Sequence, residues 1–373
     1  MLDVFIIGAG IVGSWIALQA ARAGLVTAIC DQNTQSGDGI SGRNSGVLHA
    51  GLYYQPDSYK ARFCRRGYTM ALDFFQQRQV PYEICGKLVT SGSPPQGLTD
   101  AEQAVWRDRA VERVHNLMHN ALACGAEGLE LCAEPGRKYQ SVKGHLALLS
   151  NQTGVVDVPR YLKAVQVAAE EAGAIFLPGR RLIDINPSGT EVILESRTGR
   201  ETIQATTIIN AAGLQSDEIA HLCGLNQYTI KPNRGEYYRL SRRLPVQTLV
   251  YPLPPDPGST ALGVHYTFQL NGEAYAGPNS IWAEHKADYR ISADPREFFE
   301  SLQHITDFYT TADLHPGYSG LRPRLFHQDQ PVKDFVIETR THAAGCSMHL
   351  LGIESPGLTS APALAEYVVN QIR

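Results

Sequence analysis

Val4-Phe5-Ile6-Ile7-Gly8-Ala9-Gly10-Ile11-Val12-Gly13-Ser14-Trp15-Ile16-Ala17, near the start of the chain, decides the fold. Residues 4–7 are a short apolar, branched run of the kind that forms a strand buried on both faces. After the third glycine, residues 14–23 are rich in helix formers and stop at Gly24, a natural helix end. A second apolar run, residues 25–30, ends at Asp31. Strand, glycine turn, helix, strand, acid is the order of a dinucleotide-binding βαβ unit.

Each part of that unit has a chemical reason. Gly8 permits the tight turn, Gly10 leaves the backbone open to a pyrophosphate, and Gly13 lets helix and strand pack closely. The helix start at Ile11 and Val12 presents unpaired N–H groups and a partial positive charge to the diphosphate. Asp31, followed by Gln32, suits a ribose diol and disfavours a 2′-phosphate.

Composition narrows the rest. The chain has 373 residues, enough for a real core without a metal or disulfide staple. Its net charge of −4 lacks the basic excess that nucleic-acid binding requires. Seven scattered cysteines form no C-x-x-C pair, so no metal site is signalled, and reduced thiols in a cytoplasmic protein are expected. The apolar start has no positive leader and is broken by glycines, and no run is long enough to span a membrane.

The stretch after Asp31 separates flavin from nicotinamide binding. A typical NAD dehydrogenase would continue with another βαβ repeat. Here a polar, glycine-rich segment leads instead into Ser41-Gly42-Arg43-Asn44-Ser45-Gly46-Val47-Leu48-His49-Ala50-Gly51-Leu52-Tyr53-Tyr54. Small residues suit close passage beside a bulky cofactor, with the hydroxyls and amides of residues 43–46 reaching toward phosphates.

This loop resembles that of the D-amino-acid-oxidase superfamily of flavoproteins, most closely the L-2-hydroxyglutarate dehydrogenase/oxidase family. Arg234-Gly235-Glu236-Tyr237-Tyr238, Tyr251-Pro252-Leu253-Pro254 with Gly263-Val264-His265, Gly320-Leu321-Arg322-Pro323 and Gly352-Ile353-Glu354-Ser355-Pro356-Gly357-Leu358-Thr359 match in order along nearly the whole chain. Residues 92–145 depart most, through a helical insert around residues 102–114. Glycerol-3-phosphate dehydrogenases are more distant relatives. The resemblance implies FAD, expected to be held non-covalently, with His49, Leu182, Ala212 and Gly213 against the cofactor; distant relatives carry the flavin on a histidine in a setting like His49-Ala50-Gly51, which keeps covalent attachment there as the alternative. It also puts Arg322 near the flavin and Gly357, Leu358 and Thr359 at its pyrimidine edge, where backbone N–H groups can meet developing negative charge.

Periodicity adds helices over residues 60–78, 100–124, 159–173 and 363–372. Strands are expected at 87–90, 174–176, 181–185, 191–195 and 203–212, and antiparallel strands over 228–312. Pro254-Pro255-Asp256-Pro257-Gly258 reads as a turn. The fold class is therefore α/β (α+β overall). A Rossmann-like FAD-binding domain is assembled from 1–78, 152–216 and 316–373, and a mixed antiparallel-sheet substrate domain from 79–151 and 217–315.

Oxidation of an alcohol by a flavin needs a base for the hydroxyl proton and a cation for the carboxylate, with the α-carbon over the flavin. The resemblance puts His265 on the substrate face as first choice of base, with His49 as its rival. Arg322 is the candidate carboxylate clamp, since a guanidinium binds carboxylate bidentately and stays charged. Tyr53 and Tyr54 either hydrogen-bond substrate or pack, and Arg234 and Lys231 are secondary cations. A small acidic substrate is expected, most of all L-2-hydroxyglutarate. Amine or glycerol-3-phosphate oxidation and a non-catalytic flavin protein are the alternatives. Oxygen, a quinone and a carrier protein all stand as electron acceptors. A quinone would add peripheral contact at the inner face of a membrane, and no basic amphipathic helix supports it.

Overall fold

The computed structural model describes residues 1–186, 188–254 and 263–373. The turn expected at 254–258 lies, from Pro255 on, outside the described residues. The α-helices are α1 (Ile11–Arg22), α2 (Tyr59–Arg78), α3 (Asp100–Ala123), α4 (Val158–Glu171), α5 (Ser216–Leu222), α6 (Pro295–Gln303) and α7 (Gly357–Ile372).

The opening strand, Leu2–Ile7, lies between two parallel neighbours, Thr27–Asp31 and Gly199–Asn210. Ile175–Pro178 extends the sheet on one side and Cys346–Leu351 on the other, both in parallel. Arg181–Ile185, Glu191–Ser196 and Val336–Thr341 add antiparallel strands. One sheet thus draws on the start, middle and end of the chain. Ile7 is level with Cys30 on one side and Asn210 on the other. Their carboxyl ends form the edge where open α/β sheets bind ligands.

Apolar residues on both faces hold this sheet in place. Ile6 packs with Ile16 and Leu18 of α1, Phe75 of α2, Tyr161 of α4 and Leu364 of α7. Trp15 Nε1 donates to the Tyr161 hydroxyl at 2.7 Å, which satisfies two polar groups inside that core. Phe5, Ile7 and Ile208 bury the other face, with Ile219 of α5.

A second, ten-stranded sheet carries Tyr228–Leu240, Ala274–Gly277, His265–Phe268, Leu249–Pro252, Lys87–Thr90, Leu146–Ser150 and Leu129–Ala133 in spatial order. Tyr228–Leu240 also pairs along its whole length with Leu314–His327. Residues 316–331, grouped above with the cofactor unit, therefore belong by pairing to this larger sheet. The long antiparallel ribbon decides their place, because its register continues unbroken through residue 327 apart from one bulge.

The last helix also differs from expectation. It starts at Gly357 rather than at residue 363, so Gly357, Leu358 and Thr359 form its first turn. Close packing on α2 overrides the poor helix propensity of Gly357 and Thr359. A Cβ on Gly67 would stand only 2.3 Å from the Thr359 carbonyl oxygen, so only glycine lets the two helices approach this far.

The glycine turn is equally close. Gly8 has φ +101, and a Cβ on Gly13 would meet the Gly8 carbonyl oxygen at 2.0 Å. Gly13→Ala must push α1 off its strand. We expect a loss of ~1–3 kcal/mol, an overpacking cost, read as a lower urea midpoint. An unchanged midpoint would contradict this account of the turn.

Candidate active site

A cleft of about 820 Å³ runs from the carboxyl edge of the first sheet to the second. It is of the size that binds small molecules and cofactors. Its first part is lined by Gly8, Gly10, Ile11, Val12, Asp31, Gln32, Leu182, Ala212 and Gly213, all expected from the sequence. The Ile11 N–H donates to Ser41 Oγ at 2.9 Å, so a hydroxyl oxygen already caps the anion-binding end of α1. Asp31 accepts the Ala9 N–H through Oδ2 and the Asn33 N–H through Oδ1, both at 2.9 Å. Burial raises its pKa. Each carboxylate oxygen retains acceptor capacity for a ribose hydroxyl.

Arg43, Asn44 and Ser45 line the next part. The Arg43 guanidinium lies 4.4 Å from the centre of the Tyr289 ring. Asn44 holds the loop itself, donating to the Ser41 carbonyl at 2.8 Å and accepting from the Gly46 N–H at 2.9 Å. Three expected contacts do not line the cleft. Gly13 serves the α1–strand contact. A Cβ on Gly46 would press the Val156 carbonyl at 2.9 Å. Thr359 lies buried under the histidine loop and accepts the His49 N–H at 3.1 Å.

The far part brings together His49, Tyr53, Tyr54, His265, Arg322 and the α7 start at Gly357 and Leu358. Tyr237, Tyr251 and Ser355 join them. The His265 Nδ1 lies 3.0 Å from the Gly263 carbonyl oxygen. A carbonyl only accepts, so Nδ1 carries the proton and Nε2 holds a free lone pair. The ring stacks on Tyr251 at 3.6 Å. Burial first, then the charges of Lys87 and Arg322, pulls the His265 pKa down to about 3. His49 is held at about 3 by burial, Lys87 and His265. Its Nε2 lies 3.1 Å from Ser355 Oγ.

Arg322 donates through Nη1 to Asn233 Oδ1 at 2.8 Å, and both terminal nitrogens lie 3.4 Å from the Asn279 carbonyl. Among the described residues it has no carboxylate within ion-pair distance, and it lines the cleft. Neither secondary cation lines the cleft. Arg234 is 3 % exposed and held by Glu236 at 2.9 Å and Asp288 at 2.5 Å, which a buried guanidinium requires. Lys231 pairs with the exposed Asp329 at 3.3 Å.

Two features escaped the sequence reading. Lys87 is fully buried against the rings of Tyr53 and Tyr251. The divergent insert also reaches the site. Asn120 of α3 donates to the Leu52 and Tyr54 carbonyls at 3.1 and 3.0 Å, and the Cys124 thiol donates to Tyr54 at 3.1 Å. It thereby fixes the loop that carries both tyrosines.

A family model described as FAD dependent oxidoreductase (DAO) matches residues 3–371. The chain belongs to this family. It is 30% identical, over 99% of its length and 83% of the relative's, to a protein of Arabidopsis thaliana named mitochondrial L-2-hydroxyglutarate dehydrogenase. An Escherichia coli protein named L-2-hydroxyglutarate dehydrogenase is 27% identical over 100% of this chain and 93% of its own. Among solved structures, the FAD-bound L-alpha-glycerophosphate oxidase of Mycoplasma pneumoniae superposes with TM-score 0.85 at 21% identity, covering 100% and 94% of the two chains. Glycine oxidase from Geobacillus kaustophilus gives 0.76 at 18% identity, covering 100% and 94%. Among the described residues no helix is long and apolar enough to cross a membrane.

The two buried histidines make stability pH-dependent. Their folded pKa of about 3 lies below the ordinary 6.5. The unfolded chain therefore binds more protons between those values, and their contribution is full above about pH 6.5 and lost as pH falls toward 3. Each adds a slope of up to ~1.4 kcal/mol per pH unit. Denaturant midpoints between about pH 7 and pH 4.5 should fall less steeply in His265→Gln than in the parent. Parallel curves would contradict this.

Proposed function

We propose that this FAD-dependent oxidoreductase oxidises a small 2-hydroxy acid, first of all L-2-hydroxyglutarate, to the 2-oxo acid. The observation that carries the reading is the pairing of His265 Nε2, lone pair free, with the ion-unpaired Arg322 in one cleft. FAD, when bound, supplies the acceptor for the hydride leaving the α-carbon. The α1 start, Asp31, the 43–45 loop and the α7 start suit it, since all four line one continuous cleft. We take the cofactor as non-covalent and the protein as cytoplasmic, with all seven cysteines free.

The residues divide the work by chemistry. Arg322 holds the carboxylate next to the reacting carbon, and the fixed guanidinium sets which face of the α-carbon is presented. His265 takes the hydroxyl proton at Nε2, while the Gly263 carbonyl keeps the tautomer and ring in place. Stacking on Tyr251 prevents the ring from turning away. His49, tied to Ser355 and Thr359, shapes the opposite end of the loop that carries Tyr53 and Tyr54. The named relatives support the substrate class.

Mixing holoenzyme anaerobically with L-2-hydroxyglutarate should bleach the yellow flavin. Persistent colour with it, and bleaching by glycerol 3-phosphate, glycine or proline, would move the substrate class. His265→Asn should lower kcat by roughly 10²–10⁴, the usual worth of a positioned base, with flavin content unchanged. Flavin released to the supernatant by acid precipitation is the expected sign of non-covalent binding.

A further inference from the structure

Eight buried side-chain polar atoms among the described residues lack a hydrogen-bond partner, and four of them converge on one chamber. They are His49 Nδ1, Tyr53 OH, His265 Nε2 and Lys87 Nζ. The first three residues line the cleft. Lys87 stands just behind it, in a strand paired to Leu249–Pro252 on one side and Leu146–Ser150 on the other. Its residue exposure is 0 %, and its Nζ lies 4.7 Å from the Tyr53 ring centre and 5.0 Å from that of Tyr251. A lysine enclosed with no carboxylate and no hydrogen-bond acceptor is a cost that a folded core normally removes. Two aromatic faces offset only part of it.

We propose that Lys87 is the chamber's anion-responsive cation, a positioning residue that becomes charged when an anionic substrate occupies the cleft and neutral when it leaves. The inference rests on the reading of the cleft as a site for a 2-hydroxy acid. Its chemistry is that of any carboxylate or phosphate held next to Tyr53, Tyr251 and His265. The anion supplies the counter-charge that the described residues lack there, and the two tyrosine rings carry the ammonium without quenching it. Arg322 fixes the anion's position, and Lys87 makes its binding conditional on a proton.

The surroundings leave Lys87 as the group that titrates near neutrality. Burial brings its pKa from 10.5 down to about 7, with Cys64 of α2 acting the other way. His49 and His265, from the two loops and strands that face it, are both near 3. Burial pushes Cys64 and Cys85 up to about 12. Burial also raises Tyr53, Tyr54, Tyr237 and Tyr251 above their ordinary range. Arg322, though lowered by burial, keeps the charge of a guanidinium. In the ligand-free chamber Lys87 is thus the group that titrates near neutrality, and a proton taken up on anion binding between about pH 7 and pH 9 is assigned to it. The sign follows from linkage: anion affinity is full below about pH 7 and falls as pH rises above it, roughly tenfold per pH unit.

The test is calorimetric titration of oxidised holoenzyme with 2-oxoglutarate, pyruvate and glycerol 3-phosphate, each in two buffers of different ionisation enthalpy. The two oxo acids carry no carbinol hydrogen to lose, and the glycerol 3-phosphate arm is run anaerobically and read only while the flavin stays yellow. At about pH 7.5 we expect uptake of roughly three-quarters of a proton per anion bound, and the tenfold-per-unit loss of affinity above it. In Lys87→Met, affinity should be lower, flat with pH and free of proton uptake. If 2-oxoglutarate fails to bind while pyruvate or glycerol 3-phosphate binds with this linkage, the role of Lys87 stands and the dicarboxylate substrate falls. Binding of any of the three to the parent enzyme without proton uptake overturns the role, and so does failure of all three to bind. Because the parent enzyme alone gives the slope and the uptake, a poorly folded variant does not rescue the proposal.

Discussion

Parallel pairing of Leu2–Ile7 with Gly199–Asn210 is the constraint on which the cleft depends. It joins segments about two hundred residues apart in the chain and brings Ala211 against the glycine turn. A Cβ on Gly8 would lie 2.5 Å from the Ala211 carbonyl oxygen. With no side chain between them, the two backbone ends meet at the sheet edge and leave the start of α1 facing open space. Shifting the register by one residue would turn Val4 and Ile6 away from the α1 core and Phe5 into it. Helix, strand and cofactor edge are therefore settled by one set of hydrogen bonds and two apolar faces.

The far end of the site depends on a different device, the enclosure of polar groups. His49, His265, Tyr53 and Lys87 keep buried, unpartnered atoms around one chamber, where each interaction with an anion is stronger than it would be in bulk water. The Arg234–Glu236–Asp288 cluster shows the contrasting solution in the same sheet. There the charges are mutually satisfied, and Ser292 adds a hydrogen bond from its hydroxyl to Glu236 at 3.0 Å. One cluster holds the fold, and the other waits for a ligand.

The βαβ unit was legible because local signals agree there: a branched run, spaced glycines and an acid at the strand end. Most helices followed from periodicity, and α3 begins at a Thr99–Glu102 capping box that a sequence reader can find. What stayed hidden depends on tertiary contact. Lys87-Leu88-Val89-Thr90 reads as an ordinary strand with a polar first residue, and only its neighbours enclose the ammonium. Arg234 looked available because Asp288, which pairs with it, lies 54 positions along the chain. Gly357-Leu358-Thr359 looked like a loop because its helical state is imposed by α2. Asn120 gave no sign of its tie to the Tyr53–Tyr54 loop, since its bonds there reach across 68 and 66 positions of chain.

In the proposed reaction His265 and Arg322 present the α-carbon of a 2-hydroxy acid for hydride transfer to FAD. Anaerobic stopped-flow reduction of the flavin by L-2-hydroxyglutarate deuterated at the α-carbon tests it most directly. Flavin reduction should be slower with the deuterated acid, at saturating concentration, than with the ordinary one. Equal rates of reduction, or no reduction by either acid, would contradict it.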